Sequence, residues 1–263
     1  MIPSNEIKAW SNVVPWITDE QIEQDLVLSR ALVEIFSNDF LSKNLVFRGG
    51  TALHKLYLQP QPRYSEDIDL VQKHPGPIKK ILRTLRESLS FLGNPATVKQ
   101  KANNNTLIYR FNSESTTPVS LRVKIEINCR EHFSVLGWTE KEFTVNTDWF
   151  NGSSNIQTYQ LEEMVGTKLR ALYQRKYGRD LYDIYKALTL TSLDVDQVIQ
   201  CYNEYMAFVV DNPPTQKQYL NNLATKMKDR EFFEDTTSLI RPDETYDYQK
   251  AYEIVRKEIL EFI

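Results

Sequence analysis

The chain has 263 residues, of which 41% are hydrophobic and 25% charged, with 32 Lys and Arg against 35 Asp and Glu. That is ordinary globular composition, long enough for one large domain or two smaller ones with proper cores. A net charge of −3 argues against wholesale coating by nucleic acid while leaving room for local basic patches. Cys129 and Cys201 are too few for a disulfide framework and suit a reducing compartment. His54, His74 and His132 lack the spacing of a zinc site. No signal peptide and no apolar run of membrane length is visible, so the expectation is a cytoplasmic protein with no membrane partner.

In chain order, residues 1–18 read as an arm that packs through Trp10 and Trp16. Thr18-Asp19-Glu20-Gln21, followed by Ile22, Leu26, Leu28, Leu32, Ile35 and Phe36, predicts a capped amphipathic helix. Residues 44–48 predict a strand, and Arg48-Gly49-Gly50-Thr51 a turn without side chains into a helix over 51–57. The glycine pair frees the backbone for unusual dihedrals and for close approach by another group. The N–H groups at the helix start suit a phosphate. Gln59-Pro60-Gln61-Pro62 ends that helix.

Asp67-Ile68-Asp69-Leu70-Val71 alternates polar and apolar residues. As a strand it places both carboxylates on one face, about 7 Å apart. Such a pair either caps a turn and is solvated, or holds a hard cation such as Mg²⁺ that tolerates shared phosphates. A helix over 78–92 follows, with Lys79, Lys80, Arg83 and Arg86 on its polar side. That row is either a solvated face or, beside a nucleotide site, a place for a polyanionic acceptor. Strands are predicted over 96–101, 106–111 and 119–128. In the last, Leu121, Val123, Ile125 and Ile127 take one face and Arg122, Lys124, Glu126 and Asn128 the other. Glu126 completes a carboxylate triad if this strand pairs with 68–71; otherwise Lys124 and Glu126 are an exposed charge alternation. A further strand is expected over 142–147.

Around Asn151-Gly152-Ser153-Ser154 the pattern turns to loop, and everything beyond reads as helix. This sets domains of 1–153 and 154–263. In LEEMVGTKLRALYQRK, Lys168 falls on the apolar stripe of Leu161, Met164, Val165, Leu169 and Leu172, so it must snorkel or meet an anion. Gly166 permits close helix approach. Gly178 then breaks the helix, and Asp180 and Asp183 share a face of the next one, where acids also complement the macrodipole. Helices over 194–210, 215–229 and 244–262 carry no readable chemistry. No GxxxxGK[ST], GxGxxG, HExxH or GxSxG is present.

Gly-Gly, a helix and then Asp-x-Asp on a strand resembles the DNA polymerase β-like nucleotidyltransferase superfamily. The wording GGTALHKLYL…RYSEDIDL, with Arg-Asp-x-x-Asp at 179–183, is similar to the AbiEii/AbiGii-type nucleotidyltransferase toxins. The resemblance covers roughly residues 40–190. It implies an α/β (α+β) fold, a mixed-sheet catalytic domain followed by a helical bundle closing the nucleotide cleft. It implies Asp67 and Asp69 as ligands of two Mg²⁺ ions, with Glu126 as the third acid at the ion nearer the acceptor. Gly49, Gly50 and Thr51 would bind the β and γ phosphates of an NTP, with Arg48 and Ser65 in the same nucleotide-binding set. Lys168 would neutralise departing pyrophosphate, while Asp180 and Asp183 support it or the base and ribose. The acceptor implied first is a tRNA 3′ end, and a cognate antitoxin is the implied partner. A protein or small-molecule acceptor, or an inactive nucleotide-binding module, are the alternatives.

Overall fold

A computed structural model describes residues 2–93, 95–115 and 117–263. The chain divides into two compact units. The first comprises residues up to 56, 64–133 and 138–159, and the second comprises 57–63, 134–137 and 160–263.

The first unit is built on one mixed sheet. Its helices are α1 (Ser4–Trp10), α2 (Asp19–Phe36), α3 (Asp39–Asn44), α4 (Gly49–Leu56) and α5 (Lys79–Ser88). Its strands are β1 (Leu45–Arg48), β2 (Asp67–Gln72), β3 (Thr97–Lys101), β4 (Asn104–Asn112), β5 (Ser120–Asn128), β6 (Trp138–Asn146) and β7 (Asn151–Tyr159). The order across the sheet is β3-β4-β5-β2-β1-β7-β6. β2 runs antiparallel to β1 and parallel to β5, while β1 and β7 are parallel. Since paired residues project to the same side, one side carries Ile68, Leu70, Val123, Ile125, Ile127 and Leu107, all buried. α2 and α5 pack on this side.

α2 forms where the sequence predicts it, with the Thr18 hydroxyl accepting from Gln21 N. Asp25, on its buried face, gathers the neighbouring elements. Its carboxylate accepts from Trp10 Nε1 (3.0 Å), Trp16 Nε1 (3.2 Å) and Lys55 Nζ (2.9 Å). The expected aromatic arm is thus anchored, and it contains a short helix. Lys55 lies on α4, so the helix that follows the glycine pair is held to α2 by an ion pair with side chains 2% and 1% exposed. Breaking one partner of such a pair costs about 3–5 kcal/mol.

Two expectations need correction. Residues 151–154 are strand, not loop: β7 pairs with all of β6 from Asn146↔Asn151 to Trp138↔Tyr159. The Thr158 hydroxyl also donates to Phe47 O on β1 at 2.7 Å. Neighbouring strands override the turn-like composition of NGSSN. The division therefore falls after Tyr159 rather than at 153, and residues 57–63 and 134–137 go with the second unit.

That second unit is helical: α6 (Leu161–Gln174), α7 (Gly178–Leu190), α8 (Val195–Val209), α9 (Gln216–Lys226), α10 (Arg230–Thr237) and α11 (Tyr248–Glu258). Its core joins Val165, Leu169, Leu181, Ile184, Tyr202 and Phe232. Gly166 permits the expected close approach, since a Cβ there would meet Cys201 Cβ and Val198 O on α8. Glu163 fastens residues 134–137 by accepting from Ser134 Oγ, Val135 N and Leu136 N at 2.6–3.0 Å. Among the described residues, no helix is long and apolar enough to cross a membrane.

A buried carboxyl on α2 gives the first unit a pH signature. Glu23 is 1% exposed, and its Oε1 has no hydrogen-bond partner. Burial, then repulsion from Glu20 and Asp19, pushes its pKa from 4.5 up to about 7. The native state thus keeps a proton that the unfolded chain releases, so this contribution to stability is fullest below 4.5 and is lost as pH rises to about 7. Glu23→Gln should stabilise the protein at pH 8 by on the order of 2 kcal/mol and flatten that slope. Urea unfolding of both proteins between pH 4 and 8 measures it.

Candidate active site

On the side of the sheet away from α2 and α5, β2 and β5 bring the predicted carboxylates together. The parallel register sets Asp67 opposite Lys124 and Asp69 opposite Glu126. Adjacent strands lie about 4.8 Å apart, so three acids and one lysine share a small patch. The pairing on which Glu126 depended is therefore present.

The glycine pair explains how Asp69 is accommodated. Gly49 opens α4 with φ at +82°, and a Cβ on it would collide with Asp69 Oδ2. The carboxylate thus occupies space that only glycine leaves, beside the start of a helix. Arg48 stands directly opposite Asp69 on β1 and is also paired with Glu131. Burial works against the Arg48 charge, but Glu131 and, more weakly, Asp69 hold its pKa above the ordinary arginine value.

Thr51 is buried, and its hydroxyl donates to the Asp67 carbonyl at 2.5 Å. Having spent its one proton, it accepts from Ser65 Oγ at 2.8 Å. Both residues thus pin the start of β2, a job different from the phosphate contact expected of Thr51.

Sequence reasoning gave Lys124 no role, yet it sits at the centre of the cluster. Its ammonium lies 3.0 Å from Asp67 Oδ2 and 2.6 Å from Glu126 Oε1. Burial favours the neutral amine, but the hydrogen bonds and charges of Glu126 and Asp67 outweigh it and raise the pKa. The signal was there to read, because a lysine two residues before an acid on one strand face reaches the same neighbours.

Among the described residues no three His, Cys, Asp or Glu side chains converge as a ready metal-ligand set; a lysine cation occupies the gap between two of the acids. The donor set nevertheless fits a hard divalent ion: the acids are carboxylates, and Asp67 Oδ1 is buried with no hydrogen-bond partner. Lys124, a point charge on a flexible stem, is the piece that can yield.

The remaining predicted residues belong to the second unit. Lys168, 6% exposed, meets anions rather than snorkelling. Its ammonium is 3.0 Å from Asp180 Oδ1 and 2.8 Å from Asp183 Oδ2. Asp180 also accepts Arg175 Nε and Nη2 at 2.7 and 2.8 Å. Asp183 accepts Arg63 Nε and Nη2, both at 2.7 Å. Both aspartates are fully buried. Burial would raise the Asp180 pKa, but Lys168 and Arg175 overcome it and hold it below the usual carboxylate range. The Arg-Asp-x-x-Asp segment is thus an ion lattice.

The basic row of α5 lies elsewhere. Lys79, Lys80, Arg83 and Arg86, with Pro77, Leu82, Val98 and Gln100, line a cavity of about 830 Å³. Val98 pairs with Leu107 and Leu107 with Ile125, so this cavity is on the helix-covered side of the sheet, opposite the carboxylates. The position beside the nucleotide site considered for this row is not the one observed.

A glycine turn set against paired aspartates on a mixed sheet is the plan of a nucleotidyltransferase. Residues 30–254 match the model of the AbiEii family, described as nucleotidyl transferase AbiEii toxin, Type IV TA system. The chain belongs to this family and is a nucleotidyltransferase of the toxin class. Its fold is similar to that of MenT4, a nucleotidyltransferase toxin from Mycobacterium tuberculosis. That match has TM-score 0.71 and 17% identity, covering 100% of this chain and 91% of the other. It is also similar to JHP933 from Helicobacter pylori, with TM-score 0.58, 14% identity and coverages of 92% and 91%. No curated protein matches the chain.

Two substitutions probe these clusters. Lys168→Met leaves Asp180 and Asp183 facing each other in the core and should destabilise by about 3–5 kcal/mol. Chemical denaturation measures this; an unchanged midpoint would contradict the lattice. Lys124→Met, at a half-buried site, should cost about 1 kcal/mol in metal-free buffer, a Tm fall of about 2–4 °C. Millimolar Mg²⁺ should restore the Tm, as followed by scanning calorimetry with and without chelator.

Proposed function

We propose that this enzyme transfers a nucleoside monophosphate from an NTP to an RNA hydroxyl, with a tRNA 3′ end as acceptor. The observation that carries the reading is the row of Asp67, Asp69 and Glu126 on one face of β2 and β5, with Asp67 Oδ1 buried and unsatisfied. The resemblance to toxins that extend tRNA supports the choice of acceptor.

Asp67, Asp69 and Glu126 are the residues that would hold Mg²⁺. When bound, the metal supplies Lewis-acid polarisation of phosphoryl oxygens and a lowered pKa for the attacking hydroxyl. The chain's own part is positioning and electrostatics, which is most of what phosphoryl transfer asks of a protein. The amides of Gly49 and Gly50 bind the β and γ phosphates at the start of α4, where the helix dipole favours negative charge. Thr51 and Ser65 fix the start of β2, and so the direction of Asp67. Arg48 and the space at Gly49 fix Asp69. Lys124 keeps Asp67 and Glu126 neutralised and close together before substrate arrives. Glu126, on the β4 side of the row, faces the acceptor. The pyrophosphate role of Lys168 rests on the family resemblance; its own surroundings give it the ion lattice.

Incubation with each labelled NTP, Mg²⁺ and total cellular RNA tests the reading. The expected product is RNA of tRNA size labelled at its 3′ end, absent from Asp67→Asn and Asp69→Asn reactions although both variants stay folded. Retention of a tenth or more of the activity by either variant would rule out the carboxylate assignment. Label on protein or metabolite, with none on RNA, would replace the acceptor.

A further inference from the structure

We propose that the open face of β3, β4 and β5 is the track on which the acceptor RNA lies, entering over the β3 edge and ending at Glu126. The inference rests on the RNA-acceptor reading above and adds its binding surface.

Strand register carries the argument. One line of paired residues runs across the sheet from Lys99 on β3 through Thr106, Glu126 and Asp69 to Arg48. A second runs from Thr97 through Ile108 and Lys124 to Asp67. Paired residues share a side, so Lys99 projects to the same side as the catalytic carboxylates. Lys101, two residues on, does too. Arg110 and Arg122 pair with each other on that side. The open face of these three strands therefore carries Lys99, Lys101, Arg110, Arg122 and Lys124, and its only acid among the described residues is Glu126; Arg122 lies 3.3 Å from Glu66 and Lys124 bridges Asp67 and Glu126, so the cations toward the β3 edge, Lys99, Lys101 and Arg110, are the ones offered to phosphate. In a protein of net charge −3, that is a marked local excess of positive charge, contiguous with the reacting carboxylates.

The dimensions suit a nucleic-acid end. From β5 to β3 is two strand spacings, about 10 Å, which is room for the last few nucleotides. Lys99, Lys101 and Arg110 are exposed, and Ile108 and Thr106 between them are half-buried and uncharged. This gives cations for phosphates around a neutral floor on which a base can rest. Lysines on an edge strand also discourage sheet-to-sheet aggregation; that role alone predicts no effect on RNA. The rival basic surface, the α5 cavity, is on the other side of the sheet.

The experiment compares wild type, the triple variant Lys99→Gln/Lys101→Gln/Arg110→Gln, and the α5 variant Lys79→Gln/Lys80→Gln/Arg83→Gln/Arg86→Gln. Each is titrated with fluorescent tRNA at several salt concentrations and assayed for 3′ labelling. Removing one cation from a single-strand phosphate lowers the slope of log K against log salt by about 0.7, so the slope of the triple variant should be shallower by about 2. Its KM for tRNA should rise at least tenfold while the Kd for NTP holds, and the α5 variant should match wild type. Unchanged slope and KM in the triple variant, with wild type active on RNA, would overturn the track and leave the RNA reading standing. Weakened binding confined to the α5 variant would move the acceptor to the other face. If wild type labels no RNA at all, the reading above fails and the track falls with it.

Discussion

The missing side chain at Gly49 is the constraint from which the carboxylate face of the sheet follows. A positive φ at that residue starts α4 at the end of β1, and the space where a Cβ would be is filled by the Asp69 carboxylate. β2 can therefore lie next to β1 with its acids close to the start of a helix. The Lys55–Asp25 ion pair holds α4 to α2, and the Thr51 hydroxyl holds the head of β2 to α4. A turn, a helix and a strand thus lock one another, and the carboxylates are the part left facing outward.

Charge is handled in two different ways in the two units. At the sheet, Asp67 and Glu126 share a single half-buried lysine that solvent still reaches. In the helical unit, Asp180 and Asp183 are fully buried, and Lys168, Arg175 and Arg63 surround them at hydrogen-bonding distance. Buried pairs of this kind contribute geometry more than net stability, and resist the removal of any one member.

Residue by residue, much of this was legible. Glycines between an apolar run and a helical stripe announced the turn, and the alternation of Asp67-Ile68-Asp69 announced a one-sided carboxylate pair. LRVKIEIN announced a two-faced strand. What could not be read was pairing. Only the β2–β5 register puts Glu126 beside Asp69, and only the placement of β3 decides which side of the sheet the α5 row is on. β7 was missed because NGSSN carries turn residues and becomes strand through its neighbours. Lys168 was ambiguous because its partners, Asp180 and Asp183, are one helix away, and Arg63 is 120 residues from Asp183.

That last separation has a consequence for how the protein comes into being. Residues 57–63 leave the ribosome early, between α4 and β2, yet Pro62 and Arg63 are held by Tyr182 and Asp183. Residues 134–137 likewise wait for Glu163. The sheet has its last strand at Tyr159, but two of its connections hang without partners until the helices that receive them are made. A cut after β7 would separate both connections from the side chains that hold them. During synthesis these two connections gain those hydrogen bonds only once α6 and α7 have been made.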